Sequence, residues 1–405
     1  MIPEMSNKTS LLNRIFAILI ILALSIVFVQ RLYLNRSDIY HSFGEGAAGI
    51  KNSIKNVYGT LPRNDYFEQL HYEYLQKTGR GHFNGVTFLN DGRLILDNLD
   101  PVLYQTQRTN TIIETNNYFA EKGIPFVYMR IPNKLFEQSE LPLAFSDNQI
   151  IKNGDMLTES IRNNFVDTYD LRAQMQQADK NFAASFYCFD LHWNYETILW
   201  VSQNVGDFMN RQYGFDIDLS IWDIDRYDQF VQRRLLYGSE SKTAGAHCIL
   251  EDITFLSPKF PVDLEMRDSK HDFAPFTSND FFGLFIPKFY GDHNHREEPF
   301  TCVDKGLPGE QFTEITNNLA EDDKRVLIIS DSFAVSWVPY FSLGFKNIDF
   351  IYLITYQTHK VIWDYLAEKD YDLVIFAISD VMVSIDSQPV YEEFDRFYLG
   401  TPPER

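Results

Sequence analysis

The sequence predicts an α/β domain built on a doubly wound, mostly parallel sheet, carrying a β- and loop-rich insertion and preceded by one N-terminal transmembrane helix. Three observations predict it. Strand-like and helix-like segments alternate on both sides of an irregular stretch at about 221–312. A bare apolar run, Val326-Leu327-Ile328-Ile329, leads straight into Ser330-Asp331-Ser332-Phe333 and then into a helical pattern, the strand, tight turn and helix of an open sheet. Leu11 to Val29 is membrane-grade: its heart, Ile15 to Val29, carries no charge and shows no polar face, which suits a membrane span better than a core helix.

From the N-terminus, residues 1–36 read as a short tail and a signal anchor. No small-x-small cleavage site follows the apolar segment, so it is expected to be retained. Lys8 and Arg14 before it are balanced by Arg31 and Arg36 after it. Orientation is therefore taken as the common one for a single N-terminal anchor, with the C-terminal globule outside the cytoplasm. Residues 37–81 read as a membrane-proximal stalk, and 82–405 as the catalytic domain. Val86–Leu89 and Arg93–Leu96 form a hairpin about an Asn90-Asp91-Gly92 turn. A helix is predicted over 109–122 with Gly123 as its stop, then a buried strand over 125–129 whose end carries Arg130, Pro132, Asn133 and Lys134. A helix over 149–163, a strand at Phe165-Val166-Asp167 and a helix over 171–178 come next. Asp190-Leu191-His192-Trp193-Asn194 then stands just before a long amphipathic helix over 195–213. Beyond the insertion the rhythm resumes with strand 326–329, helix 333–343, strand 348–353, helix 359–368 and strand 373–378.

Bulk properties narrow the partners. The chain has 405 residues, 45% of them hydrophobic and 23% charged, enough for a sizeable core. A formal charge of −20 argues against nucleic acid, which is bound through clustered Lys and Arg, and favours a neutral acceptor over a polyanion. Three cysteines are too few for a disulfide scaffold. Cys248 and Cys302 could pair outside the cytoplasm, or all three, Cys188 included, could be buried thiols. Asp292, His293, His295, Glu297 and Glu298 form a ligand-rich run, but without supporting ligand spacing they read as a solvated loop, and no metal site is assigned.

The two motifs together carry chemistry. A serine hydroxyl becomes a nucleophile when a base accepts its proton and a third group orients that base. Ser332, His192 and Asp190 can fill those roles, and no cofactor is required. The backbone N–H of Ser332 at a helix start can hold an oxyanion, with Asn133 or Asn194 as a second donor. Lys134 and Arg130 are candidates for an anionic group and Trp193 for stacking on a sugar ring, with capping, surface and packing roles as the alternatives.

Asp190-Leu191-His192-Trp193-Asn194 and Ile329-Ser330-Asp331-Ser332-Phe333 resemble the two signature blocks of the alginate O-acetyltransferase family (AlgX/AlgJ-like, DHHW). The resemblance extends to Gly123-Ile124-Pro125, Ile131-Pro132-Asn133-Lys134, Leu141-Pro142, and Gly238-Ser239 through Asp252 to Pro258-Lys259-Phe260, and covers most of residues 82–385. It implies an SGNH-hydrolase-like fold that moves acetyl groups at polysaccharide hydroxyls, with the aspartate and histidine preceding the serine in the chain. Ser332 is then the nucleophile, His192 the general base and Asp190 its orienting partner. The resemblance further implies a membrane-bound O-acyltransferase partner that delivers the acetyl group. One departure is Ser330, where such proteins often carry glycine. Three functions stay open: an O-acetyltransferase, a carbohydrate esterase with the same triad, and a non-catalytic scaffold of a polysaccharide export complex.

Overall fold

Each central strand of the domain is apolar on both faces, as burial between two helical layers requires. The structure, a computed structural model, describes residues 82–83, 85–97, 105–142, 148–244, 250–269, 272–285, 312–321, 323–353, 366 and 369–384. A small antiparallel meander comes first: β1 (His82–Phe83), β2 (Val86–Phe88) and β3 (Leu94–Leu96). The predicted Asn-Asp-Gly turn joins β2 to β3, with Phe88 opposite Leu94 and Gly92 in the left-handed region at φ 91°. Then follow α1 (Gln105–Glu121), β4 (Phe126–Ile131), α2 (Ile150–Asn163), β5 (Thr168–Asp170), α3 (Leu171–Gln177), α4 (Phe182–Ser185) and α5 (Tyr195–Tyr213). The middle of the chain contributes β6 (Tyr227–Leu236), α6 (Ser239–Ala244), β7 (Glu251–Pro258), β8 (Leu264–Asp268), β9 (Phe276–Ser278), α7 (Phe281–Phe285) and β10 (Phe312–Asn317). The last described part holds β11 (Arg325–Ser330), α8 (Ser332–Phe341), β12 (Asn347–Tyr352), β13 (Leu373–Ser379) and α9 (Asp380–Ser384).

Among the described residues the main sheet has eight strands in the order β5-β4-β13-β11-β12-β10-β8-β9. The first five run parallel, and β10, β8 and β9 extend the sheet antiparallel. The fold is thus α/β with a mixed, mostly parallel sheet. The stretch at 221–312 is divided between this sheet and a smaller one. Of its described strands only β6 and β7 form a sheet of their own, while β8 and β9 join the main sheet directly. Counted from β11, the parallel strands take the order 2-1-3-4-5 (β12-β11-β13-β4-β5), the arrangement of a doubly wound sheet. The chain simply enters that arrangement at its fourth strand. Asp190 and His192, which lie after β5, therefore precede Ser332, which follows β11.

Alternation along the strands divides the core. Val326 and Ile328 of β11, with Leu373 and Ile375 of β13, face α5 and α8. Leu327, Ile329, Val374 and Phe376 face the other layer, where Ile112 and Phe119 of α1 and Leu157 and Ile161 of α2 lie. Burying each such side chain contributes about 1.5–3 kcal/mol before entropy is counted.

One local difference from the sequence reading has a clear cause. Phe165, predicted to open a strand, is 96% exposed at φ 61°, in the turn that ends α2, and the strand starts three residues later at Thr168. Asp170 ends that strand and also caps α3, its carboxylate accepting from Ala173 N at 3.2 Å. Among the described residues no helix is long and apolar enough to cross a membrane. The apolar segment at 11–29, the stalk, Cys248, Cys302, the run at 292–298 and nearly all of the helix predicted over 359–368 lie outside the described residues.

Candidate active site

The C-terminal edge of a parallel sheet gathers groups from many parts of the chain. β11 ends at Ser330, between Ala377 of β13 and Tyr352 of β12. Asp331 then leaves the sheet and caps α8, its Oδ1 accepting from Phe333 N at 3.1 Å. Its Oδ2 accepts from Ser379 N at 2.8 Å. The turn between these anchors presents Ser332, which is partly exposed at the first position of α8. The first N–H groups of a helix have no intrahelical acceptor, so Ser332 N–H is available to a developing oxyanion.

Asp190 and His192 sit on a loop closed by an antiparallel bridge between Phe186 and Trp193. Within it Tyr187 N donates to His192 O at 3.2 Å. With its proton on Nδ1, His192 donates to Asp190 Oδ1 at 2.6 Å, and Nε2 accepts from the Ser332 hydroxyl at 2.8 Å. Asp190 Oδ1 also accepts from His192 N at 3.0 Å, and Oδ2 from Ser239 N at 2.8 Å. Burial pushes the Asp190 carboxyl up, but His192 and these donors outweigh it and hold the group well below the usual carboxylate range. It is therefore anionic at neutral pH and fit to orient an imidazole. Burial pushes the fully enclosed Asp331 carboxyl up, opposed by the Ser379 and Phe333 donors.

The structure brings Ser332, His192 and Asp190 into one hydrogen-bonded chain although 140 residues separate His192 from Ser332. It gives four other predicted residues different work. Trp193 is fully buried, edge-on to Phe333 at 5.3 Å between ring centroids and near Trp337, so its ring is not a sugar platform. Asn194 caps α5: Oδ1 accepts from Thr197 N at 3.0 Å and Nδ2 donates to Ala184 O at 2.6 Å. Arg130 is buried against Asp380 and Asp155, at 2.8 and 2.6 Å, and meets its carboxylates inside the chain. Lys134 is enclosed, its ammonium bound to Glu240 and to backbone carbonyls of the Asp190 loop. Asn133 differs. Its Oδ1 accepts from Leu135 N at 2.9 Å, while its buried Nδ2 has no partner among the described residues and remains a donor two residues past the end of β4.

Several supporting residues escaped sequence reasoning. Ser239 and Gly238 come from the irregular middle region, where only the resemblance block Gly238-Ser239 marked them. Glu251 accepts from Cys188 N at 2.7 Å and Phe189 N at 3.0 Å. Asp331 had a local signal, since aspartate before a helix is a common cap. Ser330 is accommodated as an ordinary buried strand residue, its hydroxyl without a partner among the described residues. Also among the described residues, no group of three His, Cys, Asp or Glu could hold a metal ion.

No family model matches the chain, and no curated protein is matched by its sequence. Solved structures do match it. Bacillus cereus PatB1, determined with a sulfonyl adduct, is 17% identical with a TM-score of 0.58, over 74% of this chain and 95% of that one. A DHHW family protein from Eubacterium siraeum is 12% identical with a TM-score of 0.52, over 79% of this chain and 98% of that one. The O-acetyltransferase domain of Pseudomonas putida AlgJ overlaps more loosely, at 12% identity and a TM-score of 0.43, over 77% and 99%. The chain shares its fold with PatB1 and the DHHW protein.

Proposed function

We propose that this chain is an extracytoplasmic O-acetyltransferase that moves acetyl groups to polysaccharide hydroxyls through an acyl-Ser332 intermediate, held at the membrane by residues 11–29. The observation that carries this reading is the unbroken chain from Asp190 through His192 to Ser332, at 2.6 and 2.8 Å, on the C-terminal edge of the sheet. Ser332 Oγ attacks the carbonyl carbon of an acetyl ester or thioester while its proton passes to His192 Nε2. The oxyanion is met by Ser332 N–H, with the spare Asn133 amide as second donor. Collapse expels the alcohol or thiol, which takes the proton from Nε2. A sugar hydroxyl then attacks acyl-Ser332, gives its proton to Nε2, and leaves as the acetate ester as Ser332 regains a proton. Asp190 stays ionised throughout and balances the imidazolium.

The motif resemblance supports acetyl as the group and a glycan as the acceptor, and it supports delivery of acetyl by a membrane-bound O-acyltransferase. The sulfonyl adduct of PatB1 supports a trappable nucleophile in this fold, since sulfonyl reagents capture activated hydroxyls. Partial exposure of Ser332 favours a second reading, an esterase with water as the final acceptor. The test follows p-nitrophenyl acetate hydrolysis by the wild type and by Ser332→Ala, with and without an added neutral oligosaccharide. Loss of activity in Ser332→Ala and acetylated oligosaccharide in the wild type are expected. Release of acetate alone would leave the esterase; equal rates in both proteins would remove the catalytic reading and leave the scaffold.

A further inference from the structure

An ammonium group with no access to water is costly unless its charge and all three donors are matched. Lys134 is such a group. Its Nζ donates to the backbone carbonyls of Tyr187 at 3.2 Å, Cys188 at 3.1 Å and Asp190 at 3.1 Å, and pairs with the Glu240 carboxylate. Neither side chain of the pair has any exposed surface. A lysine that served only to neutralise a glutamate would not need three carbonyls from a single four-residue stretch, and that stretch carries Asp190.

We propose that Lys134 and Glu240 are a positioning pair for the triad: the ammonium, held by Glu240, fixes the backbone of the Tyr187–Asp190 loop and so sets how Asp190 meets His192. The proposal rests on the catalytic reading of Ser332, His192 and Asp190. Glu240 is well placed for it. It follows Ser239, whose N–H donates to Asp190 Oδ2, so helix α6 grips the carboxylate and the ammonium from adjacent residues. Ser241 N adds a bond to Phe189 O at 3.2 Å, and Leu191 N donates to Ser239 Oγ at 3.3 Å. Burial, with Asp190 and Glu251 close by, pushes the Glu240 carboxyl up, and Lys134 only partly opposes that rise. Neither residue touches the reacting atoms; both act through Asp190.

The test uses the purified full chain carrying Glu240→Gln, and separately the double variant Lys134→Met with Glu240→Leu. Two readouts are taken: the far-downfield proton NMR signal of the His192 Nδ1–H bond to Asp190, and kcat and KM on p-nitrophenyl acetate. Glu240→Gln is expected to shift or lose the signal and to lower kcat by about 10- to 100-fold at unchanged KM. The double variant removes both buried charges, so it is expected to fold stably yet to keep the kcat defect. Wild-type kcat and signal in Glu240→Gln, or both recovered in the double variant, would overturn the proposal and leave a purely structural pair. If the signal moves in the variants while Ser332→Ala hydrolyses as fast as wild type, the pair stands and the catalytic reading falls. If wild-type kcat persists in both variants while Ser332→Ala is dead, the reverse holds.

Discussion

Asp331 Oδ2 accepts a hydrogen bond from Ser379 N at 2.8 Å, tying the turn that presents Ser332 to the end of the neighbouring strand β13. Its other oxygen caps α8. One carboxylate thus sets the height of Ser332 above the sheet from two directions. Replacing Asp331 with Ala removes the cap and strands a buried N–H, together worth about 2 kcal/mol. Urea unfolding should show that loss, and kcat should fall about 100-fold at unchanged KM as Ser332 drifts from His192. An unchanged kcat in a destabilised protein would confine Asp331 to a folding role.

Asp190→Asn keeps the shape of the site but cannot balance an imidazolium and favours the wrong tautomer. A drop in kcat on the order of 10⁴-fold is expected, with the fold preserved. The same carboxyl links pH to stability. Its folded pKa lies below the unfolded value of about 3.9, so its stabilisation is present above that value and is lost as pH falls below it. Urea midpoints measured from pH 7 down to pH 3 should fall more steeply for wild type than for Asp190→Asn. Parallel curves would show that Asp190 is not the linked group.

Gly238 is held against the Asp190 loop so closely that a Cβ built on it would lie 1.9 Å from Phe189 O. The obstacle is backbone, which cannot swing away. Gly238→Ala should cost about 1–3 kcal/mol in thermal or urea unfolding, and should reduce kcat because the displaced loop carries Asp190. A neutral outcome in both measurements would mean the contact relaxes without cost.

Cys188 is two residues from Asp190 yet should be chemically quiet. Burial pushes its thiol up to about 11, and the neighbouring Glu251 adds to the effect. Iodoacetamide labelling, read by peptide mapping, should be slow at pH 7–8 and should climb about tenfold per pH unit up to about pH 11. A plateau near pH 8 would contradict this environment.

The strand-turn-helix around Ser332 was legible because an apolar run, an aspartate cap and a helical pattern are all local signals, and the structure places β11 and α8 within a residue or two of the expected bounds. The sheet partners of β8, β9 and β10 were not. Strand propensity shows that a segment is extended but says nothing of which distant strand it will meet. Lys134 and Arg130 looked like free cations at a sheet edge because their buried partners, Glu240 and Asp380, lie 106 and 250 residues further along the chain. Trp193 and Asn194 looked functional because they adjoin the motif. Packing and capping also favour those positions, and burial decides between the roles only once the fold is known.

The sheet order has a consequence for the birth of the molecule. β13, last of the eight strands to be made, lies between β4 and β11. On one side of it stand the elements leading to the acid and base; on the other is the strand leading to the serine. A growing chain lacks this keystone and cannot close the two halves into one sheet. Ser332 and His192 should therefore come within reach of each other only late in synthesis.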